Sequence, residues 1–430
     1  MISTINMLKL LGYPVNKAEQ YIQDLSNIGD IENWQNEKKW EIFEYHLRNN
    51  EFYSKSIKGI HNWEDIPIMS KKKLQGDHRS KIPSSLLNKK HYISHTSGSS
   101  GQPFVFVKDK FTHALTWMNI EKSYNSVGIS LSDKQARFYG APMPLLDFYK
   151  ERLKDFLMNR QRFIIFDLTD AILKKWVEVF SKNKFKYIYG YTSSILVFSR
   201  YLIENNIVLK NRCPTLKCCI VTSEMCTSIE KDIIEKAIGV PVYNEYGASE
   251  FGIIGFNKNG NYWNVADEMF YLEVVDEYGD VLENGQEGKL ICTSLHNRGT
   301  PFIRYEIGDI VIINKNKGKT ILTNIIGRTN DIAILPSGKK VPGLSFYYAV
   351  HDALVDYEKD VIEHQVVQIA KDYFVVNMVV ANNVPLKMIN DRLQSVFNKY
   401  LEKDLKVEIK KVDQIDRAVA GKFKHFISLI

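Results

Sequence analysis

Several short stretches of this chain carry side chains suited to handling a nucleotide. Thr96-Ser97-Gly98-Ser99-Ser100-Gly101-Gln102-Pro103 packs hydroxyls and glycines between strand-like flanks. Glycines let a backbone come close to an anion, while hydroxyls and amide N–H groups donate to phosphate oxygens. It is not a Walker-type loop, because no Lys-Ser/Thr pair follows a glycine at the required spacing. In Tyr246-Gly247-Ala248-Ser249-Glu250 an aromatic face could stack on a base, and the carboxylate could hold a divalent ion bridging phosphates. Asp309, after Gly308, offers a carboxylate to both hydroxyls of a ribose, and Arg328, after Gly327, offers a cation to phosphate. Gly421-Lys422 sets a lysine in a glycine-relieved turn before a final apolar strand. Each stretch alone also reads as an ordinary turn or a solvated tail. Their order along the chain is what gives them meaning together.

The elements that must position these groups follow from hydrophobic patterning. Residues 1–90 read as a helical lead, punctuated by Pro67 and Pro83. From 91 to 258, apolar strands alternate with amphipathic helices: Phe104-Val105-Phe106-Val107, Arg162 to Phe166, a helix over 170–180, Tyr187-Ile188-Tyr189, a helix over 193–205, Cys219-Ile220-Val221 and a helix over 227–238. That alternation predicts a layered α/β domain with parallel strands. Over 259–326 short strands separated by Gly-, Asn- and Asp-rich turns predict a β-rich subdomain. Residues 327–430 read as a smaller α+β unit with a helix near 386–402. The expected fold is therefore α/β: a large layered N-terminal domain, 1–326, with a β-rich subdomain, and a small C-terminal domain, 327–430.

Composition narrows the class. A chain of 430 residues with 44% hydrophobic and 25% charged residues has an ordinary globular balance, and its length favours two or three units. The formal charge of +7 is compatible with anionic ligands, but no concentrated basic tail predicts a nucleic-acid partner. No run approaches the roughly 18 apolar residues of a membrane span, and the N-terminus lacks a signal-peptide pattern, so a cytoplasmic protein is expected. The cysteines, Cys213, Cys218, Cys219, Cys226 and Cys292, lack paired Cys-x-x-Cys knuckles and a nearby histidine, which favours core cysteine over a zinc site.

Loop, aromatic-turn-glutamate, Gly-Asp, Gly-Arg and late Gly-Lys together resemble, in order and approximate spacing, the signature series of the acyl-adenylate-forming (AMP-forming) ligase superfamily. The resemblance is nearest to its phenylacetate-CoA ligase and CapK-type capsular-polysaccharide branch. Further matches are Asn50 to Tyr53, Ile66 to Lys71, Tyr189 to Ser194 and Val221 to Glu224, so it covers roughly 40–430. It implies an enzyme that activates an acid as acyl-AMP and passes the acyl group to an acceptor, either the thiol of coenzyme A or an amine. ATP and Mg²⁺ are the implied cofactors, a homodimer is common among relatives, and the C-terminal domain is implied to be mobile. By the same analogy Thr96, Ser97, Gly98, Ser99, Ser100 and Gly101 would embrace the ATP phosphates, and Ser249 would contact the α-phosphate. Ser223 and Glu224 would line the adenine side, Tyr246 would stack on adenine, Asp309 would bind ribose, and Arg328 ribose or phosphate. Glu250 would ligate Mg²⁺, Lys422 would be the catalytic lysine, and Asn330 would sit at the hinge. The acid would lie near Tyr139-Gly140, Tyr189 to Ser194 and Asn244 to Ala248.

The chain departs from the superfamily pattern at Phe104, where many members have a lysine after the loop's proline, and at Asn330, often acidic in relatives. Two other readings stand beside the ligase. One is a non-catalytic nucleotide-binding relative acting as a partner protein. The other is an unrelated nucleotide enzyme such as a kinase, whose motifs are not visible.

Overall fold

In a computed structural model the chain is described at residues 4–25, 27–96, 104–140, 145–166, 168–328, 331–357, 360–380, 384–417 and 423–430, with backbone alone at 145–147 and 344. It divides into two compact units. One comprises residues 1–307 and 312–324, the other 308–311 and 325–430.

An eleven-stranded sheet runs through the first unit, in the spatial order Phe270–Val275, Glu287–Ser294, Tyr305–Asn316, Lys319–Arg328, Trp263–Val265, Gly252–Asn257, Val242–Ala248, Cys218–Thr222, Tyr187–Tyr191, Gln135–Tyr139 and Arg160–Ile164. The strands of 259–326 thus extend the same sheet as the α/β strands. The strand ends 308–311 and 325–328 are counted with the second unit. The last five strands are mutually parallel. Numbered along the chain, their spatial order is 2-1-3-4-5, with the reversal between Gln135–Tyr139 and Tyr187–Tyr191.

Alternation explains why this sheet has two covered faces. In the fully buried strand Cys218–Thr222, Cys219 and Val221 join a core with Phe138, Phe163, Trp176, Phe180 and Phe198, supplied in part by the helices Asp170–Lys182 and Thr192–Glu204. Cys218 and Ile220 face the other way, against Tyr124, Ile129, Tyr187 and Ile253, with Tyr124 carried by the helix Lys110–Asn125. A strand buried on both faces needs a continuous apolar run, which is what this sequence supplies. The helix Ser228–Ile238 starts with a Thr227/Glu230 capping box and ends on Gly239 at φ +80°, so local chemistry sets both of its ends.

Before the sheet, the helix Ile31–Asn49 is capped by Asp30, and Asn50 closes it while capping Glu51–Ser56. Arg304 fixes the following segment. Its guanidinium, 2% exposed, donates to the carbonyls of Glu64 at 2.6 Å and Ile66 at 2.9 Å and stands 3.3 Å from Glu273.

In the second unit, the antiparallel pair Val361–Ala370 and Tyr373–Val380 is flanked by the parallel strands Lys406–Lys411 and Phe426–Ser428. The helices Gly343–Ala353 and Leu386–Tyr400 share its core through Phe346 and Phe397, packed with Phe374 and Phe426. A Cβ on Gly343 would lie 2.6 Å from the Phe426 ring, so the helix comes this close only with glycine. Among the described residues no helix is long and apolar enough to cross a membrane. Cys213, Cys218, Cys219 and Cys292 are buried free thiols.

Candidate active site

Open α/β sheets bind ligands outside the carboxyl ends of their parallel strands, at the point where strand order reverses. Here that edge carries Tyr139-Gly140, Tyr191, Ser223-Glu224 and Glu245-Tyr246, because Gln135–Tyr139, Tyr187–Tyr191, Cys218–Thr222 and Val242–Ala248 run in parallel register.

Ser223 leaves its strand at φ +68°, a left-handed conformation that costs a serine strain. The turn aims the next side chain back at the sheet: a Glu224 oxygen accepts the Ser193 amide at 2.8 Å, at the first turn of the helix Thr192–Glu204. An acid at that position satisfies an otherwise unpaired helix N–H and opposes the positive end of the dipole. Glu224 therefore holds neighbouring elements together at this strand edge.

Tyr246 belongs to a hairpin, Val242–Ala248 with Gly252–Asn257, whose register shifts between Tyr246 and Gly247. The irregularity is tight. A Cβ on Gly247 would lie 2.2 Å from the Gly252 carbonyl, and Gly252 has φ +86°. These glycines let the strand pass its partner closely and leave Tyr246 half-buried, with Ser249 exposed in the connecting turn. Glu250 is buried, and one of its oxygens accepts from the Tyr305 hydroxyl at 3.0 Å. Lys108, which the sequence reading left out, lies within its electrostatic reach: burial pulls the ammonium down to about 8, against the attraction of Glu250 and Asp109. Phe104, Phe106 and Val107 are buried with it, and a lysine closing that apolar run is the signal in the sequence. Phe104 is itself core, stacked on Tyr305 at 6.4 Å.

The strands Tyr92–His95 and Val105–Lys108 form a hairpin whose mouth is closed by Thr96 and Phe104. The Thr96 amide donates to the Phe104 carbonyl at 3.0 Å, and the Phe104 amide donates to Thr96 Oγ1 at 3.3 Å. Ser97, Gly98, Ser99, Ser100 and Gly101 lie outside the described residues, as do Asn330 and Lys422. Within the second unit Arg328 Nε pairs with Asp309 at 3.1 Å; Asp309 is buried and Arg328 exposed. Residues on either side of the Lys422 segment are anchored in that unit, Arg417 to Glu363 and Phe423 in the core beside His425.

A polar cluster under the strand ends also escaped the sequence reading as individual residues. Glu245 is buried and accepts from the hydroxyls of Tyr189 at 3.1 Å, Tyr124 at 3.3 Å and Thr222 at 3.4 Å. Burial pushes its carboxyl up to about 7, with the hydroxyl donors and Arg137 opposing the rise. Arg137 lies 4.1 Å above the Tyr139 ring and 5.0 Å from that of Tyr189. Tyr139 is hydrogen-bonded to Tyr189 and to Ser223, which links Ser223 through the tyrosines to Glu245.

Among the described residues no three His, Cys, Asp or Glu side chains gather to hold a metal ion. The lone Glu250 carboxylate nonetheless suits Mg²⁺, which is commonly held by one or two carboxylates together with substrate phosphates.

Comparison with known proteins agrees with this architecture. Residues 336–428 match the CapK C-terminal domain family. The chain is 27% identical to Protein CapK of Staphylococcus aureus over 397 residues, covering 87% of this chain and 84% of that one. It is 25% identical to an indoleacetate–lysine synthetase of Pseudomonas savastanoi over 211 residues, covering 46% and 49% of the two chains. Its fold is similar to that of 2-hydroxyisobutyryl-CoA ligase in the postadenylation state, with a TM-score of 0.65 over 92% of this chain and 89% of that one at 17% identity.

Proposed function

We propose that this chain, a CapK-type relative of the AMP-forming ligases, activates a carboxylic acid with ATP as an acyl-adenylate and transfers the acyl group to a thiol or an amine. One observation carries the reading. The register Thr222 opposite Glu245 sets Ser223-Glu224 beside Tyr246 at neighbouring strand ends, at the edge where such sheets bind nucleotides, and the Gly247–Gly252 approach holds Tyr246 there.

A carboxylate oxygen attacks the α-phosphorus of ATP and the bond to pyrophosphate breaks. The acceptor then attacks the acyl carbon and AMP leaves. Both partners of the first step are anionic, so stabilisation of the redistributing charge supplies the rate and no covalent enzyme nucleophile is needed. Tyr246 stacks on adenine with Ser223 along the base, the Thr96–Gly101 loop donates to the phosphates, and Ser249 reaches the α-phosphate. Asp309 accepts from the ribose hydroxyls and Arg328 serves ribose or phosphate. Lys422 neutralises the carboxylate and α-phosphate as they meet. Mg²⁺, held by Glu250, would supply charge neutralisation at the phosphates.

The acceptor divides the relatives. An indoleacetate–lysine synthetase is by its name an amide former, and a CoA ligase a thioester former. The sequence resemblance to the capsular-polysaccharide branch is what favours a role in surface-polysaccharide biosynthesis. ATP–pyrophosphate exchange over a panel of aryl, amino and uronic acids tests adenylation. Acid-dependent exchange is expected in the wild type and should fall by about 100-fold or more in Lys422→Ala, the scale of losing a charge-stabilising donor. ATP binding with no exchange for any acid would favour a non-catalytic partner protein.

A further inference from the structure

We propose that Glu245 is a specificity-determining residue and that the acid this enzyme takes carries hydrogen-bond donors, hydroxyl or ammonium groups, away from its carboxylate; the inference rests on the ligase reading above.

The place comes from topology. The 2-1-3-4-5 order reverses between Gln135–Tyr139 and Tyr187–Tyr191, and a ligand at such a reversal meets the side chains at those strand ends. Nucleotide is assigned to the Ser223 and Tyr246 edge. Beside it stand Arg137, Tyr139 and Tyr189, each half-buried. Glu245 lies behind them.

The chemistry is that of an acceptor site. A carboxylate offers about four lone-pair positions. The hydroxyls of Tyr189 and Thr222 meet one oxygen of Glu245, at 3.1 and 3.4 Å, and that of Tyr124 meets the other at 3.3 Å, so one acceptor position is left for a ligand donor. Arg137 adds a second sign of unmet polar capacity, for its buried Nε has no hydrogen-bond partner. An aryl or alkyl group in this place would lie against Glu245 and Arg137 and leave the spare acceptor position and the Arg137 Nε unpaired. A site built to hydrogen-bond a substrate group discriminates far more strongly than an apolar pocket does against an added hydroxyl. A purely structural network could be built more cheaply from apolar side chains of similar volume.

The test pairs binding with turnover. Galacturonate, 6-aminohexanoate and phenylacetate are titrated calorimetrically into the whole protein, and each is assayed by ATP–pyrophosphate exchange, in wild type, Glu245→Leu and the near-isosteric Glu245→Gln. The wild type is expected to prefer one of the two donor-bearing acids over phenylacetate, and which one it prefers separates hydroxyl from ammonium. In Glu245→Leu the ratio of kcat/KM for that acid over phenylacetate should fall by about 100-fold. Glu245→Gln, which keeps one acceptor and the shape, should lose less for a hydroxylated acid than for a cationic one. A preference for phenylacetate in the wild type, or an equal loss for all acids in both variants, overturns the inference. Calorimetric binding of a donor-bearing acid with no exchange for any acid would instead overturn the adenylation reading and leave the recognition by Glu245 standing.

Discussion

Glu245 and Glu250 belong to the same hairpin, yet their surroundings prepare them for different work. Glu250 accepts from the Tyr305 hydroxyl, and Lys108 stands within its electrostatic reach. Glu245 is raised to about 7 because burial outweighs its donors. Folding raises its pKa from 4.5, so the folded state holds this proton more tightly than the unfolded chain does. The group's contribution to stability is complete below about pH 4.5 and is lost as pH rises through about 7. Denaturant titrations at pH 5 and pH 8 should therefore show the wild type losing more stability than Glu245→Gln, by on the order of 1–3 kcal/mol. Parallel pH dependence in the two proteins would mean that Glu245 titrates as an ordinary carboxyl. The groups facing it, Tyr124, Tyr189 and Arg137, do not ionise across this interval in their ordinary ranges.

At the scale of elements, the apolar runs were legible and the polar ones were not. Cys218–Thr222 declares itself because both faces are buried, and Ser228–Ile238 because its capping box and closing glycine are local chemistry. Gln135–Tyr139 has no such run: Gln135 and Arg137 face the polar cluster and alternate with the core residues Ala136 and Phe138. The neighbouring strand is Arg160–Ile164 where apolar patterning suggested 162–166; the pairing of Gln135 with Arg160 and of Tyr139 with Ile164 sets its ends. The site motifs were readable as an ordered series, but the Arg137–Glu245 network is assembled across strands distant in sequence and no spacing reveals it. Two changes test how these elements are held. Gly247→Ala must displace the Gly252 carbonyl, which should cost about 1–3 kcal/mol and lower adenylation with it, because Tyr246 moves. Arg304→Ala leaves Glu273 buried without its partner and releases the 64–66 carbonyls, a loss of about 3–5 kcal/mol readable as a lowered denaturation midpoint.

At the scale of the molecule, the proposed roles fall on both units. Ser223, Tyr246 and Glu250 belong to the first, Asp309 and Arg328 to the second, and Lys422 to the 325–430 stretch. If the small domain turns about Asn330 between half-reactions, fixing φ there should separate them. Asn330→Pro is expected to keep acid-dependent pyrophosphate exchange within about tenfold while transfer to thiol or amine is lost, since proline locks φ near −65°. Equal loss of both half-reactions would remove Asn330 from the hinge. The most direct measurement for the whole account uses the acid found by exchange, labelled with ¹⁸O in its carboxylate, followed by mass spectrometry of the AMP released in the presence of acceptor. Attack of the carboxylate on the α-phosphorus predicts AMP carrying one acid-derived oxygen; unlabelled AMP, or ADP as the product, would contradict an acyl-adenylate.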